Sequence, residues 1–269
     1  MNLLVPDDSP LRNPPRSLDP RQKVAFDGIR YALDMGFLSY QRLLIELHKI
    51  GLAHRAGKKH SVFATQALAD AWSFVDTVWR LKLLLERMPG LKRTPGLEAN
   101  LRAFKAIQEL RNAFQHLDGQ LYLAVNMGVP LWGTLSWFWA PDDLSRGGVT
   151  MALVAGSLHS GEQRLVNPLG RVCETPAGLV MLTAFGRELD LSDLAARLPK
   201  IARALDLAVR EACSTLVPGG ADLLIGVEIA FDNDLAAPAQ PQSRSPSARV
   251  SKSAAMSVGS TRRGSWLRT

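Results

Sequence analysis

The sequence is poor in the residues that build disulfide scaffolds and structural zinc sites. Its 269 residues include only two cysteines, Cys173 and Cys213, and neither belongs to a CxxC motif or to a cluster with histidines. This scarcity argues against a disulfide-stabilised fold and against a structural zinc site. It is typical of a protein that is kept in a reducing cytosol.

Long apolar runs are also missing. No stretch approaches the roughly 20 apolar residues that a membrane-spanning helix needs. The first residues, MNLLVPDDSPLRNPPRSLDP, lack the basic segment and the apolar run of a signal peptide. We therefore expect a soluble, cytoplasmic protein without a membrane partner.

The signature motifs of several enzyme classes are absent. The chain has no Walker A lysine loop, no dinucleotide-binding glycine motif and no HExxH motif. The segment GSLHSG, residues 156–161, lacks the G-x-S-x-G elbow of hydrolases, and it predicts a turn between strands. Because no carboxylates or histidines cluster with metal-ligand spacing either, we expect no cofactor and no metal site.

The net charge of +7 is concentrated in the C-terminal segment. From Asp234 onward the chain has six Lys or Arg and one Asp, so this segment carries +5 of the total. It is rich in Ser, Ala and Pro and has almost no periodic apolar residues, so we expect residues 234–269 to be disordered. The segment is either a solvated extension without function or a weak electrostatic contact for RNA or another polyanion.

Residues 18–120 contain long segments in which apolar residues recur at helical spacing. Short connections between such helices predict an antiparallel bundle of three or four helices. A Pro-rich irregular arm, residues 1–17, precedes it. The helical segments span about residues 20–51, 61–88 and 96–117.

The ends of these helices have recognisable signals. Ser17 or Asp19 can cap the first helix, and Pro20 suits its first turn. Gly36 is a point where that helix could break. We expect Asp118 and Gly119 to end the third helix, since Gly adopts the left-handed conformation of a C-terminal cap.

Residues 121–233 predict a second, α+β domain. The helical segment 191–216 has Ser192 as its expected N-cap and a kink or restart at Pro199. We expect it to cover a mainly antiparallel sheet. The expected strands are rich in β-branched and aromatic residues, and they lie in WGTLSWFWA, GVTMALVAGSL, AGLVMLTAFG and ADLLIGVEIAF.

Polar residues gather at the end of the third helix, in ELRNAFQHLDGQL, residues 109–121. Glu109, Asn112 and His116 fall on one helical face at spacings of three and four. Arg111 lies beside this stripe and is long enough to reach Asn112. The partial negative charge at the helix end favours the protonated form of His116. The apolar face toward the bundle holds Leu110, Phe114 and Leu117.

The order Arg111, Asn112, three further residues and His116 resembles the R-x4-6-H signature of the HEPN superfamily. The resemblance covers roughly residues 20–120. It implies a homodimer in which two motifs meet at the interface and form a metal-independent endoribonuclease site that acts on RNA. Proteins of this kind occur in bacterial defence and toxin systems, so the resemblance also implies a protein partner such as an antitoxin.

The resemblance implies a role for each motif residue. His116 would be the general acid or base on the 2′-hydroxyl or the leaving 5′-oxygen. Arg111 would hold and neutralise the scissile phosphate. Asn112 would orient His116 or donate a hydrogen bond to a phosphate oxygen.

The second helix has polar residues in an otherwise apolar segment. Asp70, Ser73, Thr77 and Arg80 recur at spacings of three and four. They either form the solvent side of the helix, with an Asp-to-Arg pairing, or support the motif, with Asp70 or Asp76 orienting Arg111 or His116. We count four residues as supporting the site, namely Asp70, Ser73, Asp76 and Glu109.

Two further features leave alternatives open. The loop HRAGKKH, residues 54–60, is either a solvated connector or a patch that attracts a polyanion. The aromatic residues Trp132, Trp137, Phe138 and Trp139 are either packed in a core or interface or form a stacking platform for bases.

Two classes of function therefore remain for the whole chain. The first is a dimeric HEPN-type endoribonuclease. The second is a non-catalytic interaction protein that uses the same bundle to form a dimer. They differ at His116, which only the first class requires.

Overall fold

A computed structural model describes residues 3–115, 117–140, 148–157, 179–213, 217 and 222–226. The fold is α+β, as the sequence predicts, with an N-terminal helical region, a four-stranded antiparallel sheet and a C-terminal helix. The chain divides into two compact units, Met1–Leu223 and Leu224–Thr269, and every helix and strand described below belongs to the first. The division of the chain at residue 120 stays a prediction.

Helix α1 spans Pro20–Arg55 and begins as predicted. Asp19 is its N-cap and forms a capping box with Gln22, and Pro20 occupies the first turn. The expected break at Gly36 is wrong, because the helix continues through it. A Cβ at Gly36 would lie 3.3 Å from Leu198 Cδ1, so this glycine permits the close approach of another helix.

Helices α2 (Ser61–Arg87) and α3 (Pro95–Gln115) complete the long helices of the N-terminal region. Contacts of Ser39 with Ser73 and of Arg42 with Asp70 show that α1 and α2 run antiparallel. The buried side of α3 consists of apolar residues at helical spacing, among them Leu101, Phe104, Ile107 and Leu110.

A fourth helix, α4, spans Leu117–Met127, so the helix end expected at Asp118 and Gly119 is wrong. Asp118 and Gly119 lie inside this helix, and the left-handed glycine that follows it is Gly128, with φ of 61°. Glycine inside a helix costs only about 1 kcal/mol relative to alanine, which the helix-forming residues after Gly119 can offset. His116, between α3 and α4, lies outside the described residues.

The sheet has the order β2-β1-β3-β4, and every pairing is antiparallel. Strands β1 (Thr134–Trp139), β2 (Val149–Val154) and β3 (Val180–Ala184) confirm three predicted strands. The sequence prediction missed β4, Arg187–Asp190. The strand expected near residues 221–231 is wrong for residues 222–226, and residues 227–231 lie outside the described part.

Helix α5, Leu191–Ala212, packs against α1 and β3, as the expected covering helix should. Its N-cap is Asp190, which accepts a hydrogen bond from the Asp193 amide, and not Ser192. The Ser192 hydroxyl instead accepts hydrogen bonds from the Val180 amide and the Tyr40 hydroxyl. The helix does not restart at Pro199, because tertiary burial of Leu194, Leu198, Ile201 and Leu205 holds one continuous helix, and the alternative of a kink there stays a prediction.

One hydrophobic core joins the helices to the sheet. Leu33, Leu43 and Phe74 of the helices and Leu135 and Leu182 of the strands are fully buried in it. No described helix is long and apolar enough to cross a membrane. The predicted disordered segment, residues 234–269, lies outside the described residues.

Candidate functional site

The described part of the motif lies where α3 packs against α2. Arg111 Nε on α3 donates a hydrogen bond of 2.9 Å to Asp76 Oδ1 on α2. The other carboxylate oxygen of Asp76 accepts a hydrogen bond of 2.6 Å from Arg80 Nε, one turn later on the same helix. Asp76 therefore lies between two guanidinium groups.

The electrostatics of this cluster favour the charged form of the Asp76 carboxyl group. Partial burial by itself raises the pKa of the Asp76 carboxyl group, but the hydrogen bonds from Arg111 and Arg80 outweigh it and hold that pKa below its ordinary 3.8. The ionised carboxylate accepts one hydrogen bond from each guanidinium group, through its two oxygens.

Aromatic rings form the surroundings of the motif. The guanidinium carbon of Arg111 lies 6.0 Å from the centroid of the Trp79 ring, at the limit of a cation–π contact. Phe114 stacks on Trp72 with centroids 3.9 Å apart and rings 17° from parallel, and Trp132 lies 5.0 Å from Phe114. These contacts anchor the last turn of α3 against α2.

The outer face of α3 carries the other polar residues. Asn112 is exposed, one position after Arg111. Glu109 is also exposed and forms an ion pair with Arg187 of β4, which links α3 to the sheet. The expected shared face of Glu109, Asn112 and His116 stays a prediction, because His116 lies outside the described residues.

Two of the four supporting residues contact α1. Asp70 accepts hydrogen bonds of 2.9 and 2.6 Å from Arg42, and the Ser73 hydroxyl lies 3.2 Å from that of Ser39. Asp76 contacts Arg111, so it is the supporting residue that the fold joins directly to the motif. Trp79 was not predicted as part of the site, although its spacing of three from Asp76 indicates the same helix face.

The aromatic residues around β1 divide between two places. Trp132 packs beside Phe114, near the motif. Trp137 and Trp139 are buried and line a separate cleft, together with residues of the 54–60 loop. Among the described residues, no three His, Cys, Asp or Glu are placed to hold a metal ion.

Comparison of the chain with protein-family models, curated proteins and solved structures finds no match in any of the three. The resemblance to the HEPN superfamily therefore depends on the motif residues and their helical setting.

Proposed function

We propose that this chain is a HEPN-type, metal-independent endoribonuclease. The observation that supports this proposal is the Asp76–Arg111 pair, which holds the motif arginine at the surface with 21% of its side chain exposed. An arginine held in this way can bind the scissile phosphate without losing much side-chain freedom on binding.

The proposed chemistry assigns the remaining steps to His116 and Asn112. The imidazole of His116 takes the proton from the 2′-hydroxyl as this oxygen attacks phosphorus, or it gives a proton to the leaving 5′-oxygen. Asn112 orients His116 or binds a phosphate oxygen. The products of this reaction are a 2′,3′-cyclic phosphate and a 5′-hydroxyl end.

A homodimer is part of the proposal, and α4 supplies a surface for it. Five apolar residues of this helix are exposed, and Tyr122 has 78% of its surface open to solvent. Exposed apolar residues that lie on one side of a helix often mark an interaction surface, and Leu121, Tyr122 and Val125 fall within about 100° of one another on α4. Because α4 begins directly after His116, pairing of two α4 helices would bring two motifs close together. We call this set the α4 surface: Leu121, Tyr122, Leu123, Val125 and Met127.

The catalytic proposal is tested on purified full-length protein with total RNA as substrate. We expect wild-type protein to leave 2′,3′-cyclic phosphate ends in the presence of EDTA, and His116→Ala and Arg111→Ala to leave the RNA intact. Arg102→Ala, which removes an exposed arginine from the same helix, is the matched control and should cleave normally. Intact RNA with all four proteins, or equal cleavage by all four, would reject the proposal.

The dimer is tested separately by analytical ultracentrifugation. Val125→Asp should convert a dimer to a monomer, because it buries a charge in an apolar interface. Val62→Asp makes the same change at an exposed valine on α2 and should leave the dimer intact. A wild-type monomer, or equal effects of the two substitutions, would remove the dimer from the proposal.

The second candidate function is a non-catalytic interaction protein that uses the α4 surface. The pairing of Arg111 with Asp76 favours it, because an ion pair between packed helices is also an ordinary structural contact. In this case His116→Ala leaves the state of the RNA and the assembly of the protein as in the wild type, whereas Val125→Asp abolishes assembly. The two experiments above therefore separate the two functions.

A further inference from the structure

A cleft of about 680 Å³ lies between the end of α1, the beginning of α2 and strands β1 and β2. It is distinct from the Arg111 cluster. Gly51 leaves room for the Trp139 side chain beside α1, because a Cβ at this position would overlap the indole of Trp139. The volume is within the range of small-molecule sites, about 300–1,000 Å³. Its apolar wall includes Ile50, Trp137, Trp139, Met151 and Leu153.

The titratable side chains among the described residues of the cleft are basic. His54, Arg55 and His60 form one side of it, and no described lining residue is an Asp or Glu. Lys58 and Lys59 are exposed in the same connection between α1 and α2. All five residues come from the segment HRAGKKH, so this segment places several basic side chains at the rim of an apolar cleft.

The helix ends at this rim contribute opposite partial charges. His60 is the N-cap of α2, but its side chain makes no capping hydrogen bond, so it leaves the positive end of that helix uncapped. The negative end of α1 is offset by His54 and Arg55 in its last turn. The rim as a whole is suited to an anion.

The buried indoles limit where a ligand can find polar partners. Trp137 Nε1 and Trp139 Nε1 are buried and have no hydrogen-bond partner among the described residues. Because these nitrogens are occluded, the two tryptophans offer a ligand apolar surface. The charged contacts come from the rim.

We propose that this cleft binds a small amphipathic organic anion, with its apolar body against Trp137, Met151 and Leu153 and its anionic group at Arg55 and His60. This site is independent of the proposed ribonuclease reaction. A ligand of this type combines burial of apolar surface with charge-assisted hydrogen bonds at one end.

Three probes with one apolar body test the proposal on the full-length protein. 1-Naphthoate is an anion, 1-naphthamide is neutral and 1-naphthylmethylammonium is a cation. Isothermal titration calorimetry should show that 1-naphthoate binds about tenfold more tightly than 1-naphthamide, the difference expected for one charge-assisted hydrogen bond. The cation should bind most weakly, and added salt should weaken only the binding of 1-naphthoate toward that of the amide.

Substitutions at the rim identify the site. Arg55→Ala together with His60→Ala should reduce the affinity for 1-naphthoate to that for 1-naphthamide, and the affinity for the amide should not change. Arg55 is exposed and His60 is partly exposed, so the fold should tolerate both changes, and circular dichroism checks this. Arg21→Ala, at the exposed opposite end of α1, is the matched control.

Three results would overturn the proposal. They are no binding of 1-naphthoate at millimolar concentration, equal affinity for the three probes, and an equal loss of affinity in the Arg21→Ala control. His116→Ala should bind 1-naphthoate like the wild type, whatever its ribonuclease activity.

Discussion

Asp70 and Asp76 belong to the same helix and the same polar part of the sequence, but they contact different partners. Asp70 is buried, with 13% of its side chain exposed, and binds Arg42 of α1. Asp76 is 36% exposed and binds Arg111 of α3 as well as Arg80 of its own helix. One carboxylate therefore connects two helices of the core, and the other holds the motif arginine at the surface.

This difference shows how burial decides what an ion pair can do. A buried carboxylate with one arginine is balanced, and removal of either partner leaves a charge or a polar group in the interior. A partly exposed carboxylate with two arginines stabilises the fold little, but it orients both guanidinium groups. Substitution of Asp70 should therefore lower stability and leave activity unchanged, whereas substitution of Asp76 should lower activity and change stability little.

The largest effect on stability is expected from Arg42→Met. This change leaves the buried Asp70 carboxylate without its partner and should lower the free energy of unfolding by about 3 kcal/mol. Asp70→Asn should cost less, about 1.5 kcal/mol, because Arg42 is 47% exposed and can turn to solvent. Urea denaturation measures both. Arg102→Met is the surface control, and a loss no larger than that of the control would show that the buried pair does not stabilise the fold.

Asp76→Asn should act on the proposed reaction. A neutral amide no longer pairs with Arg111, and the misplaced guanidinium should lower the rate of RNA cleavage about a hundredfold. Asp70→Asn should cleave at the wild-type rate at temperatures where it is folded. Equal rates for these two variants would contradict the assigned difference between the carboxylates.

The stability contribution of Asp76 should depend on pH in a defined direction. Its pKa is lowered in the folded state, so the contribution is present above the ordinary value of 3.8 and is lost as pH falls through the lower folded pKa. Because solvent screens this side chain, the contribution should stay below about 1 kcal/mol. Urea denaturation of wild type and Asp76→Asn at about pH 6 and about pH 2.5 checks this. A difference that grows in acid would refute it.

A small loss of stability is also expected from Ser73→Ala. Its hydroxyl lies 3.2 Å from that of the buried Ser39, and the loss of this hydrogen bond should cost about 1 kcal/mol. The double change with Ser39→Ala should be closer to neutral, since no hydroxyl is then left unpaired. A double-mutant cycle by thermal unfolding measures the coupling, and an additive result would show that these hydroxyls do not interact.

The long helices and three strands were predictable because their signals are local. Apolar periodicity placed α1, α2 and α3 within a few residues of their ends, and the capping signals at Asp19 and Pro20 were recognised correctly. Strand β4 was missed because RELD is short and polar. Its position follows from the two-residue turn at Phe185 and Gly186, where both φ angles are positive, as in a type I′ hairpin.

The errors have a common physical cause. Gly36, Gly119 and Pro199 weaken a helix when they are considered alone, and each lies inside a helix here. Packing against neighbouring elements supplies more free energy than these residues cost. The contact of Gly36 with Leu198 illustrates this, because the missing side chain is what allows α1 and α5 to approach each other.

The sequence by itself determined the α+β class, the three long helices and the order of Arg111, Asn112 and His116 along the chain. Only the tertiary structure decided that Asp76 meets Arg111, that Asp70 meets Arg42, and that the basic loop 54–60 meets Trp137 and Trp139. Periodicity defines the helix face on which a residue lies. The neighbour that covers this face is set by the packing of segments that are distant along the chain, and no local pattern encodes it.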